Sequence, residues 1–154
     1  MYDDLIRLIE RSNVAFPNIG NGVAEETVVR AEASLGLALP ESFKWWLTNY
    51  GGGQIKGDVV YGLDEGDMGR PDIVDLARMN ERDGLYDIRR LVFSIGNSET
   101  FFFDTIKYHG GEYEVVQHDF TQNEMIPYAV SFAEFLRKRI CELYSLKDQG
   151  LRIK

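Results

Sequence analysis

Two histidines are the side chains best suited to acid–base catalysis or metal binding. His109 lies with Glu112 around a glycine turn, and His118 is followed by Asp119 at a strand end. Two imidazoles with carboxylates could bind zinc, but their spacing matches no recognised ligand set. His118 and Asp119 are not a dyad by adjacency alone, because neighbouring strand residues point to opposite faces. We therefore predict solvated turn positions for both histidines and no metal site.

Cys141, the single cysteine, is the remaining candidate nucleophile. At about 100° per residue on a helix it projects towards Glu134 and Arg137, which predicts a partly exposed thiol. A reactive thiolate also needs a base and a pocket, and the sequence indicates neither. A passive thiol is the favoured interpretation.

The glycine runs Gly51–Gly53 and Gly110–Gly111 could suggest phosphate binding. Neither has the lysine–serine ending of a P-loop or the spacing of a dinucleotide fingerprint, so both are better explained as turns. Taken with the histidines and the cysteine, the sequence predicts no catalytic residues and no cofactor, and we expect a protein that is not an enzyme.

Charge says more about partners than about chemistry. The chain has 154 residues and a formal net charge of −8, with 25 acidic and 17 basic side chains. Such a protein repels phosphate backbones, which disfavours direct nucleic-acid binding, and favours association with a basic partner. Acidic residues crowd the middle of the chain, while Arg137, Lys138 and Arg139 make the C-terminal part basic. These clusters are either a solvated surface or part of a docking surface.

Three helices are predicted before residue 51. They span about Tyr2–Ser12, Ala24–Leu35 and Pro40–Tyr50, with glycines closing the last two and Pro40 opening the third. The core-facing stripe of the third helix consists of Phe43, Trp46, Leu47 and Tyr50. Trp45 falls on its other side, so either another segment or a second subunit covers it, or it anchors an interface.

The rest of the chain predicts strands and two more helices. Short glycine-bounded runs near residues 54–57 and 59–62 indicate a hairpin, and three antiparallel strands follow near 91–94, 100–104 and 113–118. One helix begins after Asp72, and the last begins at Ser131, where Glu134 completes a capping box, and runs to about Leu146. Its predicted packed face consists of Phe132, Phe135, Leu136, Leu143 and Leu146, with Ile140 at the edge. The expected fold is α+β: N-terminal helices, a central antiparallel sheet of about four to six strands, and a C-terminal helix packed on it, in one domain over residues 1–154.

One ordered set of motifs resembles the SUKH superfamily. A helix ends in Leu35-Gly36, Leu39-Pro40 opens the next, and Gly51-Gly52 leads into strands. A second block matches the same pattern of strand, glycine turn, strand ending in aspartate and returning strand; it consists of residues 91–96, 101–104 and 111–116. The resemblance covers about residues 24–140.

The resemblance implies a function that composition could not supply. The superfamily includes bacterial immunity proteins that neutralise polymorphic toxins and fungal regulators of cell-wall synthesis. It implies a non-catalytic protein-binding domain whose partner is a cognate toxin effector domain, possibly a basic nuclease. The alternative is a regulatory scaffold or small-ligand-binding domain. From charge and placement, the candidate partner-binding residues are Trp45, Asp58, Asp64, Glu65, Asp67, Asp104, Glu112 and Glu114.

The expected location is the cytoplasm. The N-terminal residues are acidic and lack the apolar core of a secretory signal. No apolar run approaches the roughly 18 residues that a membrane span requires. A single cysteine agrees with a reducing compartment.

Overall fold

The computed structural model describes residues 1–12, 14, 16, 22–63 and 71–145. Within these ranges the helices are α1 (Asp3–Arg11), α2 (Glu25–Leu35), α3 (Glu41–Asn49), α4 (Ile73–Asp83) and α5 (Phe132–Tyr144). The strands are β1 (Gly53–Ile55), β2 (Asp58–Val60), β3 (Arg90–Ile95), β4 (Glu99–His109), β5 (Glu112–Asp119) and β6 (Glu124–Ala129). The α+β prediction is confirmed, with a sheet of six strands flanked by the N-terminal helices and by α5.

The sheet is an antiparallel meander in which every strand pairs with the next one along the chain. This topology needs only short connections, because two antiparallel strands that follow each other in the chain can be joined by a tight turn. β6 was not among the predicted strands, and it contains Pro127, opposite Val116. Proline cannot donate a ladder hydrogen bond and is tolerated here because β6 is an edge strand.

The core lies between the sheet and the helices α1, α2, α3 and α5. Alternation along β4 sends Phe101 and Phe103 into this core, while Phe102 faces the opposite side, where it packs in a small cluster with Leu76 of α4. The prediction that Trp46 is a core residue is confirmed, since it is fully buried. Its ring lies 5.2 Å from that of Phe132, so α3 and α5 share one aromatic core.

The helix ends follow the predicted signals with two adjustments. Gly36 adopts the left-handed conformation after α2 (φ 73°), and Asp72 caps α4 through a capping box with Asp75. Pro40 is the N-cap of α3 rather than its first helical residue. The Ser131 hydroxyl accepts from the Glu134 amide, but the Glu134 carboxylate accepts from the amide of Val130, one residue before the cap. Of the two hydrogen bonds of the predicted capping box, the one to the Ser131 hydroxyl is present, while Glu134 binds the amide of Val130 instead of that of Ser131.

The packed face of α5 is wider than predicted. Ile140, placed at its edge, is fully buried, and Cys141, expected to be partly exposed, is 8% exposed. The prediction for Cys141 is wrong because the side of α5 that it shares with Arg137 faces α1, whose Asp4 pairs with Arg137. Arg139 is also buried, at 7% exposure.

Candidate functional site

The N-terminus of α3 is held by a carboxylate from the sheet. Glu112 on β5 accepts from the Ser42 amide (2.8 Å) and the Ser42 hydroxyl (2.9 Å). The same hydroxyl accepts from the Ala133 amide of α5 at 3.0 Å. A negative charge at a helix N-terminus is favourable, because the unpaired amides there carry partial positive charge. Glu112 thereby fixes α3 relative to both β5 and α5.

The turn between β4 and β5 closes onto the same helix end. The Glu41 amide donates to the Gly111 carbonyl at 2.8 Å. Gly111 has a φ of +85°, and a Cβ there would lie 2.7 Å from Cγ of Glu41. Only glycine suits this close approach, so the turn can press against α3 and position the Glu41 side chain beside it.

α2 and α3 face each other across a groove with a volume of about 720 Å³. Each helix contributes a stripe at the i, i+3, i+4 and i+7 positions that lie on one helical face. The α2 stripe is Glu25, Val28, Val29 and Glu32, and the α3 stripe is Glu41, Lys44, Trp45 and Thr48. Met1, Tyr2, Gly110 and Glu112 complete the lining.

An aromatic pair forms part of the groove wall. Trp45 is partly buried, and its ring stacks on that of Tyr2 with centroids 4.4 Å apart and an interplanar angle of 29°. Tyr50 packs edge-on against Trp45 at 5.8 Å. A neighbouring segment therefore covers Trp45 in part, as one of the alternatives predicted, and the rest of the ring lines the groove.

Acidic side chains dominate the groove. Four glutamates line it, against the single lysine Lys44, whose Nζ lies 3.3 Å from Glu41 Oε2 and 3.6 Å from Glu32 Oε2. Burial works against the charged form of Lys44, but the hydrogen bond to Glu41 and the nearby charge of Glu32 raise its pKa. Burial, then the charges of Glu112 and Glu41, raise the pKa of Tyr2. The groove is therefore suited to cations.

The predicted partner-binding residues separate into different places. Trp45 and Glu112 come together in the groove. Asp58 lies elsewhere, with Oδ2 2.9 Å from Nη2 of the buried Arg139. Asp104 and Glu114 are register partners on the sheet face opposite the main core; Glu114 also pairs with Lys107 at 3.6 Å. Asp64, Glu65 and Asp67 lie outside the described residues.

Comparison with known protein families matches residues 22–138 to the SMI1 / KNR4 family (SUKH-1). The chain belongs to this family. The matched range runs from just before α2 into α5 and contains every groove residue except Met1 and Tyr2. The resemblance predicted over about residues 24–140 is thereby confirmed.

The candidate catalytic residues of this SUKH-1 domain are held by structural contacts. His118 Nδ1 lies 2.7 Å from the Tyr86 hydroxyl, and Nε2 lies 3.1 Å from Asn123 Oδ1. Both ring nitrogens are thus engaged in hydrogen bonds. Cys141 is buried in the main core. Among the described residues no group of three or more histidine, cysteine or acidic side chains is arranged to hold a metal ion.

Of the two glycine runs in the SUKH-1 domain, Gly110 and Gly111 make the turn between β4 and β5, as predicted. Gly51 and Gly52 instead form an irregular connection after α3, and Gly53 is the first residue of β1. Within the described ranges, no helix is long and apolar enough to cross a membrane.

Sequence reasoning missed Arg139 and the α2 side of the groove. Arg139 lies seven residues after Phe132 and four after Phe135, which places it on the packed face of α5; this spacing could have identified it. Its guanidinium pairs with Glu99 at 2.7 Å as well as with Asp58. Glu25 and Glu32 also share a face with Val28 at helical spacing, but only the packing of α2 beside α3 makes that face part of a groove.

Proposed function

We propose that this SUKH-1 protein is a non-catalytic protein-binding domain that acts as an immunity protein, binding and neutralising a polymorphic toxin in the cytoplasm. The observation that carries the proposal is a partly accessible tryptophan in a groove with four glutamates. Tryptophan is enriched among the residues that dominate interface energy. Family membership supports the proposal, because the superfamily includes bacterial immunity proteins.

Inhibition needs no reaction by this protein. A nuclease toxin carries a basic surface for its nucleic-acid substrate, and an acidic protein that docks there blocks the substrate both sterically and electrostatically. The net charge of −8 would also steer the two proteins together. We place Trp45 and Glu112 at the centre of this contact because both line the groove.

The other predicted contact residues have secondary parts in this proposal. Asp64, Glu65 and Asp67 follow β2 in the sequence and would extend the acidic surface. Asp58, whose side chain is 20% exposed beside Arg139, would contribute its charge rather than a direct contact. Asp104 and Glu114 lie on the opposite sheet face and would serve a second contact.

The direct test is binding to a panel of polymorphic-toxin effector domains, with basic nucleases prominent. Calorimetry at low and physiological salt should find a tight, selective complex that weakens as salt rises, and the bound toxin should lose its activity. Trp45→Ala should weaken the complex at least about tenfold, whereas Glu81→Gln, an exposed change on α4, should leave it intact. Binding that leaves the toxin active would contradict the immunity role.

A second candidate is a regulatory scaffold or small-ligand-binding domain of the same family. It is favoured by the size of the groove, because about 720 Å³ lies within the range of small-molecule pockets. A thermal-shift screen of cationic metabolites against the wild type and Trp45→Ala separates the two. A ligand that stabilises only the wild type, with no toxin bound across the panel, would favour this candidate.

A further inference from the structure

The groove between α2 and α3 has the chemistry of a site for a cationic side chain. Its aromatic wall is the Tyr2–Trp45 pair, and its rims carry Glu25 and Glu32 on one side and Glu41 on the other. An aromatic ring attracts a cation through its electron-rich face, and a carboxylate attracts it by charge. An apolar ligand could pack on the aromatic pair but would make no use of the carboxylates.

The protein's own Lys44 already occupies one end of this acidic surface. Its ammonium lies between Glu32 and Glu41, and its side chain is 30% exposed. Two carboxylates of the groove, Glu41 and Glu25, are less fully neutralised by charged neighbours. Glu41 is 63% exposed, and no cationic side chain of the described residues lies within ion-pair distance of Glu25. The groove therefore presents four glutamates against one lysine.

We propose that the groove receives an arginine side chain from the protein partner, with its guanidinium against the Tyr2–Trp45 pair and its charge balanced by Glu25 and Glu41. Arginine fits better than lysine because its planar guanidinium stacks on aromatic rings, binds carboxylates through two parallel hydrogen bonds and is more weakly hydrated. This inference deepens the proposed function and rests on it for the identity of the partner as a protein.

The site can be tested without knowing the partner. The protein is labelled with 5-fluorotryptophan, which gives two fluorine resonances, one from Trp45 in the groove and one from the fully buried Trp46. Trp45→Phe assigns them. The probe is a tetra-arginine peptide, and the matched control is the same peptide with citrulline, which keeps the shape of the side chain and removes its charge. The arginine peptide should move the Trp45 resonance in a saturable way and leave that of Trp46 in place.

Variants then test the carboxylates. Glu41→Gln and Glu25→Gln should each weaken the peptide about two- to fivefold, and added salt should weaken it further. Glu81 on α4 is exposed and is not one of the residues that line the groove, so Glu81→Gln should have no effect. The proposal is overturned if the citrulline peptide shifts Trp45 equally, if Glu81→Gln weakens binding as much as Glu41→Gln, or if Trp45 does not respond.

The toxin panel separates this inference from the proposed function. A toxin that binds wild type and Trp45→Ala equally would leave immunity standing and remove the groove from it. Arginine-peptide binding at Trp45 with no toxin bound across the panel would support the site and count against the immunity role. Circular dichroism of each variant establishes that it is folded before binding is compared.

Discussion

Two clusters in this molecule each gather several carboxylates around one cation, yet they differ in what surrounds them. In the α2–α3 groove, Lys44 stands among glutamates with 30% of its side chain exposed. On the packed face of α5, the side chain of Arg139 is 8% exposed, and it lies between Asp58 and Glu99 with its guanidinium 4.8 Å from the Phe101 ring centroid. Carboxylates around a buried cation form a closed structural network. Carboxylates around a partly exposed cation leave an open surface that a partner can bind.

The closed cluster extends into further contacts. The Tyr128 hydroxyl donates to Glu142 at 2.7 Å, and Glu142 also lies 3.6 Å from Arg139. Burial, and then the hydrogen bond to Glu142, raise the pKa of Tyr128. Gly96 allows this packing, since a Cβ there would lie 2.8 Å from Glu99 Oε2 and 3.0 Å from Asp58 Oδ2. Every charged group in this cluster is thus already engaged inside the protein.

The largest expected effect comes from removing Arg139, the central cation of the buried cluster. Arg139→Met leaves Asp58 and Glu99 without their partner in a largely buried place, and should lower the free energy of unfolding by about 3 kcal/mol. Lys44→Met, its counterpart in the groove, should cost less than about 1 kcal/mol, because water solvates the carboxylates that remain. Urea denaturation followed by circular dichroism measures both. If the two variants lost equal free energy of unfolding, burial would not be what distinguishes the two clusters.

A rescue variant keeps this prediction testable if Arg139→Met is too unstable to measure. Adding Asp58→Asn and Glu99→Gln removes the unpaired charges, and should restore part of the lost stability because neutral amides cost less to bury than carboxylates. If the triple variant is no more stable than Arg139→Met, lost packing on Phe101, rather than unpaired charge, explains the effect.

A smaller effect is expected within the groove, at Glu112, whose carboxylate accepts two hydrogen bonds from Ser42 at the N-terminus of α3. Glu112→Gln weakens two hydrogen bonds to Ser42 and removes the charge at the α3 N-terminus, and should cost about 1 to 2 kcal/mol. Glu114→Gln is the matched control on the same strand; its ion pair with Lys107 is 3.6 Å long and partly exposed, so it should cost less than about 0.5 kcal/mol. Chemical denaturation of both variants checks this, and losses of similar size would show that Glu112 does not hold α3.

Local signals predicted much of the fold. Gly36, Asp72 and Ser131 mark helix ends that depend on neighbouring residues alone, and all three act there as expected. The burial of Trp46 followed from the 3.6-residue period. By contrast, Cys141 was placed wrongly because its burial depends on α1, which is distant in the sequence.

The candidate site could be predicted only in part for the same reason. Trp45 was identified because a tryptophan outside the core-facing stripe of a helix needs either a covering segment or a binding partner. Glu112 was identified because it borders a glycine turn. Glu25 and Glu32 gave no such signal: a glutamate on an exposed helix face is ordinary until another helix is packed beside it. Asp58 resembled the other acidic residues of its region, and the pairing that sets it apart joins it to Arg139, far along the chain.

The smallest expected effect concerns a partly exposed ion pair that joins α1 to α5. Asp4 on α1 accepts two hydrogen bonds from Arg137 of α5, the shorter 3.0 Å, and its side chain is 41% exposed. The hydrogen bond to Arg137 holds the pKa of Asp4 below its usual range, against an opposing effect of burial. A lowered folded-state pKa stabilises the protein above the unfolded value of about 3.9, and this stabilisation is lost as pH falls through the folded value.

Asp4→Asn should therefore lower the free energy of unfolding by less than about 1 kcal/mol at pH 7, with the difference from wild type shrinking as pH falls from about 5 towards 3. Asp3→Asn is the control, because Asp3 is exposed in the same first turn of α1 and shares its helix-terminal position. Urea titrations at several pH values give the difference directly. A gap between the variants that stays constant with pH would mean that Asp4 acts through packing of α1 on α5 rather than through the charge of its ion pair with Arg137.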